Sequence, residues 1–422
     1  MSWEARFVLR KYHPKIVGVT GSVGKTSTKD AIALVLSAKY DVRKSDKSYN
    51  SDIGVPLTIL GEKSAWNNPL EWLKIIFRGL DLIFTKNKYP EWLVLEMGAG
   101  RPNEIRDNVR WIKFDMAVLT SLPDVPVHVE IFGSRERLVK EKMFLVNAIG
   151  SDGFVVLCSD DLSVMAMNKD LPGQVITYGL TSNSLVKATD YQISYSGEGE
   201  LKVPAGLSFV INYQENNWPV FLDKIVGPHM LYPVLAAFAC GVSVGVNPVD
   251  IVKKLSTFKT PPGRQHLISG INNSIIIDDT YNSSPVALEA ALKALVQIET
   301  SGRKIAVVGD MMELGSHTAI EHKRMGELAS GICDFIITVG VRARFAYESA
   351  LSAGFAPDKI FHFDTSVLAG EYLKTVVGAG DIILVKGSQS ARMEKTVEKI
   401  MLQPELKSQL LVRQEEEWLS KK

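Results

Sequence analysis

The stretch "VTGSVGKTSTKDAIA" (Val19–Ala33) decides how this 422-residue chain is read. It continues the aliphatic run "KIVGVT" (Lys15–Thr20) into a glycine-bearing loop and then into a helix-like series. A strand, loop and helix in that order aim backbone N–H groups and the positive end of a helix dipole at one point, which suits phosphate oxygens. Gly21, Ser22, Val23, Gly24, Lys25, Thr26 and Ser27 are therefore expected to cradle a nucleotide. Lys25 would reach the β- and γ-phosphates, and the Thr26 hydroxyl would bind Mg²⁺. The strict loop has a glycine five residues before Gly24; here that position is Val19, and Gly18 sits one further back. The loop alone indicates a bound phosphate and leaves the reaction open.

Outward from the loop the pattern repeats. "WLVLEMG", "DMAVLTS" and "GFVVLCSDD" are short aliphatic runs ended by Gly, Asp or Ser and separated by amphipathic stretches. Buried parallel strands with intervening helices have this form, so the class is α/β. Residues 188–223 read instead as meandering hairpins, a small antiparallel addition. Pro261, Pro262 and Gly263 punctuate the chain, and a second series follows: "SIIIDDT", "RKIAVVGDM", "DFIITVG" and "DIILVKGS". The expected organisation is a P-loop central domain with a mostly parallel sheet over residues 1–262, interrupted by an insertion at 61–92. A Rossmann-like C-terminal domain is expected over 263–422. The end, "RQEEEWLSKK", reads as a polar helical tail.

The totals remove several classes. With 48 basic and 47 acidic residues, no field favours nucleic acid, and none is expected as a partner. Cys158, Cys240 and Cys333 lie far apart with no CxxC pair, which argues against a disulfide framework or zinc ribbon and fits a reducing cytoplasm. The opening "MSWEARFVLRKYHPK" is too charged for a signal peptide. The uncharged run Ile225–Val249 carries three prolines, so Leu231–Val244 is expected as a buried small-residue helix rather than a membrane span.

Seven further motifs follow the loop in order. They are "YNSDIGVPLTIL" (Tyr49–Leu60), "LEMGA" (Leu95–Ala99), "HVEIFGSRERLVKEK" (His128–Lys142), "PPGRQHLI", "DDTYNSSPVALEAALKAL" (Asp278–Leu295), "VVGDMMELG" (Val307–Gly315) and "LVKGSQSARME" (Leu384–Glu394). Together with the loop they resemble the Mur ligases of peptidoglycan synthesis, from Ile16 to about Met401. Within that family they look most like the branch that joins D-Ala-D-Ala to UDP-MurNAc-tripeptide. The resemblance implies an ATP- and Mg²⁺-dependent ligase that activates a cell-wall peptide precursor as an acyl phosphate. It implies that Lys25, Glu96, His128 and Lys142 are catalytic, with Thr26, Glu96, His128 and Lys142 around the metal and Lys142 carbamylated; Lys140 is a competing candidate. It further implies Arg264, Asp279 and Asn282 at the nucleotide, and Asn50, Asp52, Asp310, Glu313, Lys386 and Ser388 at the substrates.

The sequence also departs from that family. Its histidine-asparagine helix start reads His229-Met230-Leu231-Tyr232-Pro233, an expected asparagine is Ser121, and the arginine expected after Ser388 is Gln389. About fifteen residues precede the first strand, too few for the family's substrate-holding N-terminal domain. Against that stands the insertion Gly61–Trp92, in which Leu73, Ile76, Phe77, Leu80, Ile83 and Phe84 share one helical face. That face is expected to cover core; a peripheral membrane or protein contact through residues 71–84 is the other reading. Two competing functions remain at this point: ligation onto a lipid-linked or other cell-wall precursor, and a nucleotide-gated binding module.

Overall fold

The computed structural model describes residues 1–46, 48–123, 129–167, 171–197 and 202–420. The chain divides into two compact units. One comprises Met1–Asp190, Phe209–Val220 and Leu231–Phe258; the other comprises Tyr191–Ser208, Phe221–Met230 and Lys259–Lys422.

In the first unit, helix α1 (Ser2–Tyr12) leads into β1 (Lys15–Thr20), the phosphate loop and α2 (Lys25–Leu36). After β2 (Val42–Lys44), α3 (Gly54–Leu60) and α4 (Pro69–Phe84) come β3 (Trp92–Glu96), α5 (Glu104–Val109) and β4 (Met116–Leu119). Next are α6 (Val129–Phe132), α7 (Arg135–Asn147), β5 (Phe154–Cys158), α8 (Leu162–Met165) and β6 (Gln174–Gly179). Strands β7 (Val186–Ser196), β8 (Val203–Tyr213) and β9 (Asn216–Asp223) complete a sheet of order β2-β3-β1-β4-β5-β6-β7-β8-β9. The division between the two units runs through these last three strands.

Pairing is parallel from β2 through to β7. Strand β1 lies between β3 and β4 with all but its first residue buried, which is why "KIVGVT" reads as an unbroken apolar run rather than an alternating one. The β8–β9 connection is Gln214–Glu215, both at positive φ, as the tight hairpin turn requires. Helix α9 (Leu231–Ser243) is the small-residue run expected from its composition; ten of its residues are buried, and it packs on α2.

The second unit holds a six-stranded sheet. Helix α10 (Pro248–Leu255) belongs to the first unit; the second unit's elements are β10 (His266–Ser269), β11 (Ile275–Asp279), α11 (Pro285–Gln297), β12 (Lys304–Gly309), α12 (Thr318–Ser330), β13 (Phe335–Val339), α13 (Arg344–Ser352), β14 (Ile360–Phe363), α14 (Ser366–Val376), β15 (Ile382–Lys386) and α15 (Glu394–Ile400). The order is β10-β11-β15-β12-β13-β14, parallel except for β10. Alternate residues serve two cores. Ile277, Ala306, Ile336 and Leu384 face one layer of helices, while Ile276, Ile305, Ile337 and Ile383 face the other. A doubly wound sheet leaves its binding crevice at the carboxyl ends of its strands, which here are Asp279, Gly309 and Lys386.

Two elements differ from the sequence expectation. The C-terminal segment is more than a polar tail: Arg413 is buried, pairs with Glu394 at 2.9 Å and donates to the Thr280 carbonyl. Helix α4 turns the other way. It buries Ile75 and Gly79 and rests Leu82 and Ile83 on the core, leaving Leu73, Ile76, Phe77 and Phe84 exposed. Its contact with α1 and α3 selects the narrower side, where Gly79 lets the chain pass close to Glu4.

Candidate active site

The phosphate loop is held from two sides. The Ser22 N–H donates to the Ser121 carbonyl at 2.8 Å, Val23 bridges to Ser121, and the Thr120 hydroxyl donates to the Val23 carbonyl at 2.8 Å. Gly21 (φ 139°) and Gly24 (φ 82°, immediately before α2) both require glycine geometry. A Cβ on Gly21 would stand 1.8 Å from the Thr120 hydroxyl oxygen. Gly21→Ala is therefore expected to cost about 1–3 kcal/mol in backbone strain alone and to displace the Thr120 strut. A fall in urea midpoint together with lost nucleotide affinity checks this; an unchanged midpoint would show that the loop relaxes freely. Lys25 donates to the Gly21 carbonyl at 3.0 Å, so its ammonium is folded back over the loop. Thr26 and Ser27 are buried at the start of α2.

Parallel register brings an acid to this loop. Glu96 pairs with Val19, two residues before Gly21, and the next residue, Met97, donates its N–H to the Val19 carbonyl. Glu96 Oε1 accepts from the Ser48 hydroxyl at 2.6 Å and the Asn50 amide at 3.1 Å. Glu96 Oε2 is buried and has no hydrogen-bond partner among the described residues. An ionised oxygen left bare in the interior is costly unless a cation meets it. Asn50 thus reaches the acid itself, and Gly98 permits this because a Cβ there would meet the Asn50 carbonyl oxygen at 2.7 Å. Asp52 is ion-paired with Arg101 instead. Ser48 and Lys29 were not legible as site residues. Lys29 is fully buried and donates to the Ser45 carbonyl at 2.7 Å, tying Ser45 to α2.

Lys142 comes from α7. Its ammonium nitrogen lies 2.7 Å from the Ser22 hydroxyl, inside the phosphate loop. Burial, and then the charge of Lys25, hold the Lys142 pKa well below the ordinary lysine value. The neighbouring Glu141 sets the register of α7, since its carboxylate accepts from the Asn103, Ile105 and Arg106 N–H groups around the start of α5. Lys140, the competing candidate, is exposed on α7. His128 lies outside the described residues. Among the described residues no three His, Cys, Asp or Glu side chains gather as a metal cage. A hydroxyl, one carboxylate and phosphate oxygens are nonetheless a donor set that Mg²⁺ accepts.

In the second unit the carboxyl ends of β11 and β15 meet. Asp279 and Lys386 are register partners, their side chains form a buried ion pair at 2.8 Å, and Lys386 also donates to the Asn282 carbonyl. Gln265, not identified from sequence, donates to Asp279 at 3.1 Å. Arg264 stacks over the Tyr281 ring at 4.1 Å. The adjoining Asp278 is pushed up to about 7 by burial, although it accepts from Thr280 and the Gly263 N–H. His229 is driven down to about 4 by burial, and its Nδ1 has no partner among the described residues.

Asp310 and Ser388 are drawn together by backbone bonds. The Ser388 N–H donates to the Asp310 carbonyl, and the Met312 N–H donates to the Ser388 hydroxyl. The Asp310 carboxylate accepts from the N–H groups of Arg342 and Ala343 just ahead of α13, so its charge is committed to that turn. Glu313 stands in the same loop at positive φ. His322 braces this loop from α12: its Nε2 accepts from the Met311 N–H at 3.0 Å and its Nδ1 contacts the Thr318 carbonyl at 2.7 Å. Burial lowers its pKa. An unfolded histidine takes up a proton near pH 6.5 while the folded one resists, so stability present above that pH is lost as pH falls through the folded pKa. His322→Gln is expected to flatten this acid loss below about pH 6.5; parallel unfolding curves for parent and variant would refute it.

A strand–loop–helix turn beside a buried acid and a buried lysine of lowered pKa has the chemistry of a nucleotide-handling α/β enzyme. Comparison with known proteins specifies the kind. Residues 19–241 match the Mur ligase middle domain, and residues 263–389 match the Mur ligase glutamate ligase domain. The UDP-N-acetylmuramoyl-tripeptide–D-alanyl-D-alanine ligase of Bacillus subtilis is 31% identical over 401 residues, covering 95% of this chain and 79% of that protein. The ligase of the same name from Escherichia coli is 28% identical, covering 93% and 78%. The crystal structure of MurF ligase from Thermotoga maritima in complex with ADP superposes with a TM-score of 0.74 at 26% identity, over 94% of this chain and 81% of that one. The chain belongs to the Mur ligase family and is an ATP-dependent ligase.

Proposed function

We propose that this ligase joins D-Ala-D-Ala to UDP-MurNAc-tripeptide in the cytoplasm, activating the tripeptide carboxylate as an acyl phosphate. The observation that carries the reading is the juxtaposition of the phosphate loop, the bare Glu96 oxygen and the depressed Lys142 amine. The names of the B. subtilis and E. coli relatives supply the substrates.

In this mechanism the loop N–H groups and Lys25 hold the β- and γ-phosphates, spreading the charge that develops as the γ-phosphoryl group moves to the carboxylate oxygen. The fit of Mg²⁺ rests on the orphaned Glu96 oxygen; Thr26, Glu96 and carbamylated Lys142, with His128, would hold it, and bound there it would neutralise charge on the transferring oxygens. Ser48 and Asn50 fix which Glu96 oxygen is free. The dipeptide amine then attacks the acyl carbon, the C–N bond forms and phosphate leaves. Arg264, Asp279 and Asn282 act at the nucleotide, and Asp310, Glu313, Lys386 and Ser388 around the dipeptide. Because Lys386 is already paired with Asp279, its contribution is to shape that pocket rather than to offer a free charge.

Incubating the chain with ATP, UDP-MurNAc-tripeptide and D-Ala-D-Ala, and reading the product by mass, tests the proposal. A pentapeptide product formed with stoichiometric phosphate release is expected. ATP turnover indifferent to D-Ala-D-Ala would overturn the dipeptide assignment.

A further inference from the structure

We propose that the outward face of α4, together with the Trp3–Phe7 pair of α1, docks on the surface of an anionic lipid bilayer. The helix itself is well formed: Pro69 opens it, and the Asn68 side chain accepts from the N–H groups of Leu70 and Glu71. It is also firmly seated, because Lys11 of α1 donates to the carbonyls of Leu82 and Ile83 in its last turn. What it presents outward is unusual. Leu70, Leu73, Phe77 and Phe84 recur at helical spacing and are 70%, 50%, 61% and 78% exposed, with Ile76 beside them. The stripe runs on the order of 20 Å, at ~1.5 Å per residue. A continuous apolar row of this kind, opposite the side that α4 buries, marks an interaction surface.

Composition and charge choose the occupant. Trp3 and Phe7, with ring centroids 4.7 Å apart, are exposed on the helix that α4 rests against. Lys74 and Arg78 border α4 in ion pairs with Glu71 and Glu62, and Lys86 and Lys88 follow its end, Lys88 paired with Asp41 at 3.1 Å. Residues 1–15 and 61–92 together carry nine basic and five acidic residues, a net +4, whereas the rest of a chain of net +1 is therefore −3. Protein interfaces are depleted in lysine at their core. Aromatic and aliphatic side chains on one face with Lys and Arg at its borders are what a helix lying in the headgroup region presents. Positive charge near that face is complementary to an anionic leaflet. Among the described residues no helix is long and apolar enough to cross a membrane, so the contact is with the surface.

Flotation of the full chain with vesicles provides the test. Binding to mixed phosphatidylcholine–phosphatidylglycerol vesicles is expected, weakened by salt and at least about tenfold weaker on phosphatidylcholine alone. The double variant Leu73→Asp, Phe77→Asp should lose binding by at least about tenfold. Its side chains are exposed, so its thermal midpoint should match the parent. Lys86→Glu with Lys88→Glu, a change confined to exposed charge, should weaken binding to the anionic vesicles and not to the neutral ones. Failure to float with anionic vesicles, or flotation indifferent to both variants, overturns the proposal. So does a dimer in sedimentation that the Phe77→Asp change dissolves, which would give the face to a second copy. A raised KM for a soluble UDP-linked substrate in the double variant would give it to substrate and equally overturn the lipid assignment. These readouts do not depend on which amide the enzyme forms.

Discussion

Replacing Glu96 by glutamine is expected to remove amide formation almost entirely while leaving the protein folded. The two effects part company because the carboxylate has two unequal oxygens. Oε1 accepts from Ser48 and Asn50, and a glutamine carbonyl oxygen can do the same. Oε2 is buried and accepts no hydrogen bond among the described residues, so the amide that replaces it breaks none; what is lost is the charge, which also supports the buried Lys29 ammonium. Exchanging it for a neutral amide removes the charge that a cation at the phosphates would meet. Losing one such preorganised electrostatic group typically reduces turnover by about 10²–10³-fold. The checks are phosphate release in the presence of both peptide substrates and a thermal melt on the same preparations. A variant that melts well below the parent would show that Glu96 is a structural acid. One that keeps more than about a tenth of the turnover would remove it from the phosphoryl-transfer machinery.

The legibility of this site follows the range of the interactions that build it. The loop Gly21–Ser27 could be read because its strand, turn and helix are adjacent in sequence, and each element has its own local signature. Glu96 was reachable because a parallel strand ends there, and register alone then sets it beside Val19. Ser48 was not, since only its bond to Glu96, 48 residues away, distinguishes it from any loop serine. The same holds for Gln265 beside Asp279, and for Arg413, which a reading of charge assigned to a solvated tail. Helix α4 is instructive in the opposite sense. Its amphipathicity was plain, but periodicity tells which residues share a face and not which face meets the protein. A glycine, Gly79, decided that by allowing close approach to α1.

Lys142→Arg is the second substitution with a large expected effect, and it separates a charge from a chemistry. In the parent the amine is buried 2.7 Å from the Ser22 hydroxyl, with Lys25 as the nearest charged influence. Burial first, and the repulsion of Lys25 second, hold its pKa well below that of a surface lysine, which favours the neutral amine. A neutral amine can attack CO₂: its nitrogen forms the new N–C bond, one N–H proton is released, and the uncharged amine becomes a carbamate anion beside the phosphate loop. Arginine retains the positive charge and cannot be deprotonated, so it cannot follow that path. Turnover of Lys142→Arg is expected to fall by about 10²-fold or more. The parent should lose activity when CO₂ and bicarbonate are stripped and regain it when they return. Lys142→Ala should be partly restored by small carboxylates that occupy the vacated space. The sign with pH follows from the same depressed pKa: acid protonates the amine and releases CO₂, so bicarbonate dependence steepens as pH falls. Native mass spectra should show the parent heavier by one CO₂, and both variants without it. A parent indifferent to bicarbonate, with Lys142→Arg retaining its rate, would leave Lys142 as a strut for Ser22 and nothing more.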